Sequence, residues 1–331
     1  MILAGDIGGT NTRLALFEVG RDGLRATVEA TFPSRQHPNL EAAAREFLGS
    51  HDLPVKQACF GVAGPVVRGR TETTNLPWVV DAREAAAALG LGEVWLINDL
   101  EATAYGIAAL PPAGFVALNP GAPAGTGNAA VIAAGTGLGE AGLYWDGARH
   151  RPFACEGGHA TFAPADETQV RLLRYLLKQY EHVSWERVLS GPGLYTIYQF
   201  LRDTGAGEEP TWLRESLRQG DPSAAISRAA LEGRSPLCAQ ALDLFVALYG
   251  AEAGNLALKV MATAGVFLGG GIAPKILPKL QEPGFREAFV AKGRMRPLLE
   301  TIPVRVIVND RTALIGAARY AALRAGLLAD P

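Results

Sequence analysis

A carboxylate placed just ahead of paired glycines opens the chain: Asp6, then Gly8, Gly9, Thr10 and Asn11, flanked by apolar runs at residues 2–4 and 14–17. Such a pattern reads as a β-hairpin with a tip of glycine and small polar residues. Paired glycines let backbone amides approach a ligand, and Thr10 and Thr12 add hydroxyl donors, so the turn suits phosphate oxygens. Asp6 alone would repel a phosphate, and a Mg²⁺ ion between the two removes the conflict. An Asx-type turn opening an ordinary hairpin is the other reading of the same residues.

A second glycine segment, AAGTGLGEAG at residues 133–142, contains GxGxxG at Gly137, Gly139 and Gly142. The dinucleotide fingerprint needs a helix to begin at those glycines, but AGLYWDG follows and alternates as a strand, which rejects it. Gly135, Thr136 and Gly137 instead form the tip of a second hairpin, either another phosphate cradle or a turn without a ligand. GxxxxGK[ST] is absent, which excludes a P-loop. A third cluster, Gly269, Gly270 and Gly271, follows a strand and leads to a helix expected near Pro274. Three successive glycines suggest close approach of a purine ring or a phosphate to the backbone.

Asp99 follows Asn98 where a strand gives way to a helix. It reads either as a helix N-cap or as a general base aimed at a substrate hydroxyl, with Asn98 bonding a neighbouring hydroxyl of a polyol. Glu156 and His159 flank two glycines and can point the same way across a tight turn; sugar hydroxyls fit such a donor–acceptor pair, whereas its spacing matches no zinc motif. Glu186 is open to two readings, a ligand or a first-turn acid in a helix capped by Ser184.

The elements that must hold these residues alternate β-branched runs with alanine-rich stretches, the mark of an α/β protein. At 331 residues, 48% hydrophobic and 19% charged, the chain is well packed and long enough for two domains. Strands are expected at 26–32, 57–62, 93–97, 129–134, 141–145, 265–268 and 304–308. Helices are expected over 40–49, 82–89 (capped by Asp81), 100–110, 167–180, 185–189, 193–201, 222–232, 236–261 and 312–327. Residues 111–127 read as a linker, and the apolar helix 239–258 could bury itself in its own domain or in a partner. A net charge of −2 offers no footprint for nucleic acid, and the basic stretch 292–296 reads as solvated surface. No apolar run reaches the length of a membrane span, and no signal region precedes the first strand. Cys59, Cys155 and Cys238 lie far apart without CxxC spacing, which fits a reducing cytoplasm.

Together, GDIGGTNTRLAL, FGVAGPV, NDLEATAYGI, AAGTGLGEAGL, EGGHATFAP, ERVLSGPGL and LGGGIAPKI resemble, in order, the bacterial hexokinase-like glucokinases. Those belong to the superfamily of sugar kinases, Hsp70-type chaperones and actin. The resemblance implies a ribonuclease H-like α/β fold with an interdomain cleft that closes on sugar. Its small domain would comprise residues 1–110 plus 311–331, and its large domain residues 111–310. Asp6 would act on Mg²⁺ through water, with Gly8, Gly9, Thr10 and Asn11 as the first phosphate motif. Gly135, Thr136 and Gly137 would be the second, and Gly269, Gly270 and Gly271 the adenosine motif. Asp99 would be the catalytic base, while Asn98, Asp99, Glu156, His159 and Glu186 would bind glucose hydroxyls. Asn75, in TNLPW, would line the sugar cleft. Lacking a cysteine-rich zinc motif and an N-terminal helix-turn-helix, the chain is nearer the glucokinases without zinc than the related repressors. The implied activity is Mg-ATP-dependent phosphorylation of the 6-hydroxyl of glucose by a cytoplasmic homodimer. The alternatives are a kinase for another hexose and a non-catalytic sugar-sensing regulator on the same scaffold; an actin-like filament ATPase is disfavoured by the sugar segments.

Overall fold

The computed structural model describes residues 1–20, 23–51, 53–73, 76–122 and 126–328. It divides into two compact units, the first of residues 1–114, 151–154 and 309 onward, the second of residues 115–150 and 155–308.

In the first unit, β1 (Ile2–Ile7) and β2 (Asn11–Gly20) form the expected hairpin, with Ile7 opposite Thr12 and Asp6 opposite Arg13. β3 (Gly23–Pro33) continues the meander, and β4 (Gln57–Val62) pairs parallel to β1. A small hairpin of β5 (Arg70–Glu72) and β6 (Val79–Asp81) stands apart, and β7 (Glu93–Asn98) completes the order β3-β2-β1-β4-β7. Helix α1 (Leu40–Gly49) is capped by Asn39, α2 (Ala82–Leu89) by Asp81, and α3 (Asp99–Ile107) starts directly from the end of β7. Strand alternation sorts the two faces of the sheet. Leu3, Ile7, Phe60 and Val62 pack with Phe47 of α1 and Ala85 of α2. Ile2, Ala4, Cys59 and Ile97 pack with Ala102 of α3 and with the C-terminal helix, Thr312–Arg324.

Helix α3 rests on bare backbone. A Cβ on Gly61 of β4 would stand 2.9 Å from the Ala102 Cβ and 3.7 Å from the Asp99 Cα. On the opposite side, a Cβ on Gly106 would reach 2.0 Å from the Thr312 carbonyl oxygen, and one on Gly316 would reach 1.7 Å from that of Ala102. The two helices therefore approach backbone to backbone at these glycines, with Tyr105 and Tyr320 in edge contact beside them.

A second sheet contains β8 (Phe115–Asn119), β9 (Ala129–Ala134), β10 (Leu138–Trp145), β11 (His150–Cys155), β12 (Gly265–Gly269) and β13 (Val304–Ile307). They are ordered β11-β10-β9-β12-β13-β8. The expected linker thus holds an edge strand: the FVALN run between Pro/Gly stretches pairs antiparallel with β13. Helices α4 (Glu167–Leu176), α5 (Gly191–Asp203), α6 (Thr211–Gln219), α7 (Pro222–Leu231) and α8 (Pro236–Val260) follow, with shorter α9 (Leu277–Leu280), α10 (Pro283–Val290) and α11 (Arg296–Thr301). Helix α6 escaped the sequence reading because its apolar stripe is only Leu213 and Leu217. Residues 185–189 are not a helix but contain a single 3₁₀ turn, Trp185–Arg187. No helix begins at Pro274; turns run on to the four-residue α9.

Contrary to the sequence expectation, α8 is long and apolar enough by composition to cross a bilayer. It is instead the core of its own unit, where Leu242, Phe245, Val246 and Tyr249 are buried. Gly250 and Gly254 let α10 close onto it, with added Cβ atoms falling 2.2 Å and 2.5 Å from the Phe285 and Phe289 carbonyl oxygens.

Replacing an interior helical glycine by alanine ordinarily gains about 0.5–1 kcal/mol. At Gly316 the sign reverses, because the new methyl meets a backbone carbonyl that cannot rotate away. Urea unfolding of Gly316→Ala is expected to show a loss of about 1–3 kcal/mol; a stabilised variant would refute the backbone contact.

Candidate active site

In the first unit, Asp6 lies one residue before the end of β1 and on the face that carries α3. Ile7, Val62 and Asn98 are in register across β1, β4 and β7, so the turn after β1 and the head of α3 occupy the same carboxyl edge of the parallel strands. That edge is where open α/β sheets bind ligands. The hairpin tip is braced from below. Gly8 N–H donates to the Asn11 carbonyl at 2.9 Å, and the Ser34 hydroxyl donates to the Gly8 carbonyl at 2.7 Å. Ser34 also meets the buried Thr12 hydroxyl at 2.9 Å, leaving Thr10 and Asn11 exposed at the tip.

Asn98, rather than Asp99, is the N-cap of α3. Its Oδ1 accepts from the Leu100 and Glu101 amides at 2.9 Å and 3.3 Å, and its Nδ2 donates to the Gly64 carbonyl at 3.2 Å. Its amide is thereby fixed by the fold. Asp99 occupies the first helical position, is partly exposed, and accepts from the Leu100 amide at 2.9 Å. Asn75 lies outside the described residues.

In the second unit, the second glycine segment is the tip of the β9–β10 hairpin, as expected. Gly135 N–H donates to the Gly137 carbonyl at 2.8 Å, and Gly135 in turn accepts from Gly191 at the head of α5 at 2.8 Å. Glu186 points at this turn: its Oε2 accepts from the Leu138 amide at 2.9 Å and lies 2.4 Å from where a Gly137 Cβ would be. Ser184 makes no cap, so the carboxylate is held by the hairpin and not by a helix terminus. Gly269 pairs with Ala133, which sets the third glycine cluster beside the second. Gly270 takes a left-handed φ of +79°, and a Cβ added there would stand 2.3 Å from the Ala134 carbonyl oxygen, while Gly271 and Gly135 face open space. Internal packing thus explains part of the glycine run, and the open positions are those a ligand can approach. The buried Tyr249 hydroxyl sits beneath both clusters, at 3.3 Å and 3.4 Å from the Ile132 and Gly269 carbonyls. Glu156 and His159, both exposed, stand 3.9 Å apart on the turn between β11 and α4, and Gly158 of that turn is seated on the Leu138 carbonyl.

Burial pushes the Asp6 carboxyl up, and Arg13 across the strand pair pulls it back. A desolvated carboxylate with one cation at its side suits a second, mobile cation. Among the described residues no group of three or more acidic, histidine or cysteine side chains could hold a metal. An ion at Asp6 would therefore draw its other ligands from water and phosphate, which is the habit of Mg²⁺.

Glu140 is a further residue of note, one to which the glycine motifs above give no role. It is an acid at a core-facing position of β10, almost fully buried, with one oxygen lacking a hydrogen-bond partner. The signal was there in LGEAGLYW, where Leu138, Glu140 and Gly142 share one face of an otherwise apolar strand.

Two α/β units whose glycine hairpins and strand ends carry these carboxylates define a sugar kinase of the actin/Hsp70/ribonuclease H-like superfamily. The Glucokinase family model matches residues 3–324. The glucokinase of Nostoc punctiforme is 45% identical over 337 residues, covering 97% of this chain and 99% of that protein. That of Stenotrophomonas maltophilia strain K279a is 38% identical over 97% of this chain and 95% of its own length. A crystal structure of glucokinase from an Antarctic psychrotroph superposes with a TM-score of 0.83 at 34% identity, covering 97% of this chain and 98% of that one. The chain belongs to the glucokinase family.

Ser34→Ala leaves the Gly8 carbonyl and the Thr12 hydroxyl without their partner. The expected cost is about 1–3 kcal/mol in chemical denaturation, and an unchanged midpoint would show that the hairpin does not need this brace.

Proposed function

We propose that this chain transfers the terminal phosphoryl group of ATP to the 6-hydroxyl of glucose, giving ADP and glucose 6-phosphate. The observation that carries this reading is the placement of Asp99 on the same sheet face and carboxyl edge as Asp6. The two are two strands apart, about 10 Å at ordinary strand spacing. That distance lets one carboxylate address an acceptor hydroxyl while the other addresses the nucleotide phosphates.

In the forward step the sixth oxygen of the sugar forms a bond to the γ-phosphorus as the bridge to ADP breaks. Asp99 orients the hydroxyl and takes its proton. Asn98, locked to Gly64 and to the α3 amides, keeps the base from drifting. Gly8, Gly9, Thr10 and Asn11 bind one phosphate region, and Gly135, Thr136 and Gly137 a second. Gly269, Gly270 and Gly271 leave room for the adenosine. Mg²⁺ would be held by Asp6 through water and would neutralise charge on the phosphates. Glu156 and His159 bind sugar hydroxyls, and Glu186 joins them with the oxygen that the Leu138 amide leaves over. Polar partners placed around the hydroxyls discriminate between hexoses, since a missing hydroxyl strands a polar group. The relatives' activity speaks against a kinase for another hexose and against a mute sensor. The cysteines are free, which suits the cytoplasm, and a homodimer is the assembly we expect.

Asp99→Asn is expected to lower kcat by at least ~10²-fold while leaving the KM for glucose within about threefold, since it removes the proton acceptor and keeps the shape. Glucose-dependent ADP release measures both. Near-normal turnover in the variant would end the assignment of the base, and preference for another hexose in a sugar panel would end that of the substrate.

A further inference from the structure

Glu140 faces the core of the second unit from β10, opposite Ile132, and is 1% exposed. Its Oε1 has no hydrogen-bond partner. Its Oε2 fills the space beneath Gly157, where an added Cβ would stand only 1.8 Å away. The carboxyl is therefore the floor under the turn that carries Glu156 and His159.

The charges around it are already committed. Glu252 on α8 is fully buried, and its oxygens accept from Lys259 at 2.9 Å and from Asn255 at 2.7 Å. Lys292, from the segment after α10, donates to the Ala251 carbonyl at 2.8 Å and to Asn255 Oδ1 at 2.7 Å. The Tyr249 hydroxyl on α8 and the Cys155 thiol at the end of β11 also feel the Glu140 charge, and Glu156, the next residue, acts on Cys155. An ionised Glu140 would be a second buried anion beside Glu252 with no cation of its own.

We propose that Glu140 is a positioning residue that seats the Glu156–His159 turn in its neutral, protonated form, and that loss of this proton loosens the turn and weakens sugar binding. The proposal rests on the reading of Glu156 and His159 as sugar ligands. Burial, reinforced by the Glu252 charge and opposed by Lys259, pushes the Glu140 carboxyl up to about 7. The folded chain then keeps a proton that the unfolded chain releases near 4.5. Stability from this group is full below that lower value and is lost as pH rises to about 7.

The test compares wild type with Glu140→Gln, a neutral isostere, from pH 5.5 to 8.5. In wild type the KM for glucose is expected to rise at least ~5-fold across this range with a smaller change in kcat. In Glu140→Gln that component of the rise disappears, and its thermal midpoint gains on wild type as pH increases through 7. Lys259→Gln, at a half-exposed position, removes the opposing cation and is expected to move the wild-type inflection to higher pH. A Glu140→Gln profile that tracks wild type in both KM and thermal midpoint would overturn the proposal. Glu156→Gln at pH 6 separates the two layers. If it raises KM while Glu140→Gln changes nothing, the positioning role fails and the sugar reading stands. If it leaves KM alone, the sugar reading fails, and the affinity consequence fails with it.

Discussion

The seating of α3 directly on backbone is the constraint on which the first unit depends. Gly61 of β4 lies under its first turn, and Gly106 and Gly316 let its backbone close onto that of the C-terminal helix. Dense packing of this kind transmits small displacements rather than absorbing them. The head of α3, with Asp99 on it, is thus fixed to the same sheet that ends in the Asp6 hairpin. A helix held by long side chains would tolerate rotamer changes; one held by carbonyl contacts does not.

The second unit solves an equivalent problem by tying turns from beneath. Tyr249 reaches up from the buried α8 to carbonyls of β9 and β12, Glu186 fastens the β9–β10 tip, and Gly191 joins that tip to α5. Glu140 is the exception within this scheme, a buried acid with one oxygen unpartnered beneath the neighbouring turn. Buried groups of that kind are costly, and their retention invites a functional account.

Much of the fold was legible in local pattern. The strands of the first sheet, the Asp81 cap and both glycine hairpins follow from alternation and turn chemistry, which act over a few residues. What escaped had weak local signal. The edge strand β8 lies among prolines and glycines, α6 shows only two buried leucines, and α10 is short and carries Pro and Gly in its first turn. The helix expected near Pro274 starts three residues later, at Leu277, and is only one turn long.

From its residues alone the chain declared its chemistry: acids at strand ends, glycines at turns, and a Glu–His pair on a glycine pivot, because residue type and spacing limit what a turn can bind. Tertiary structure decided which partner each side chain meets. Asn98 took the cap that Asp99 might equally have filled, Glu186 turned to the Leu138 amide rather than serving a helix dipole, and α8 went into its own core. The Asn98 tie to Gly64, the Glu186 bond and the burial of α8 depend on groups dozens of residues away in sequence, brought close only when sheets and helices pack, and no local rule contains them.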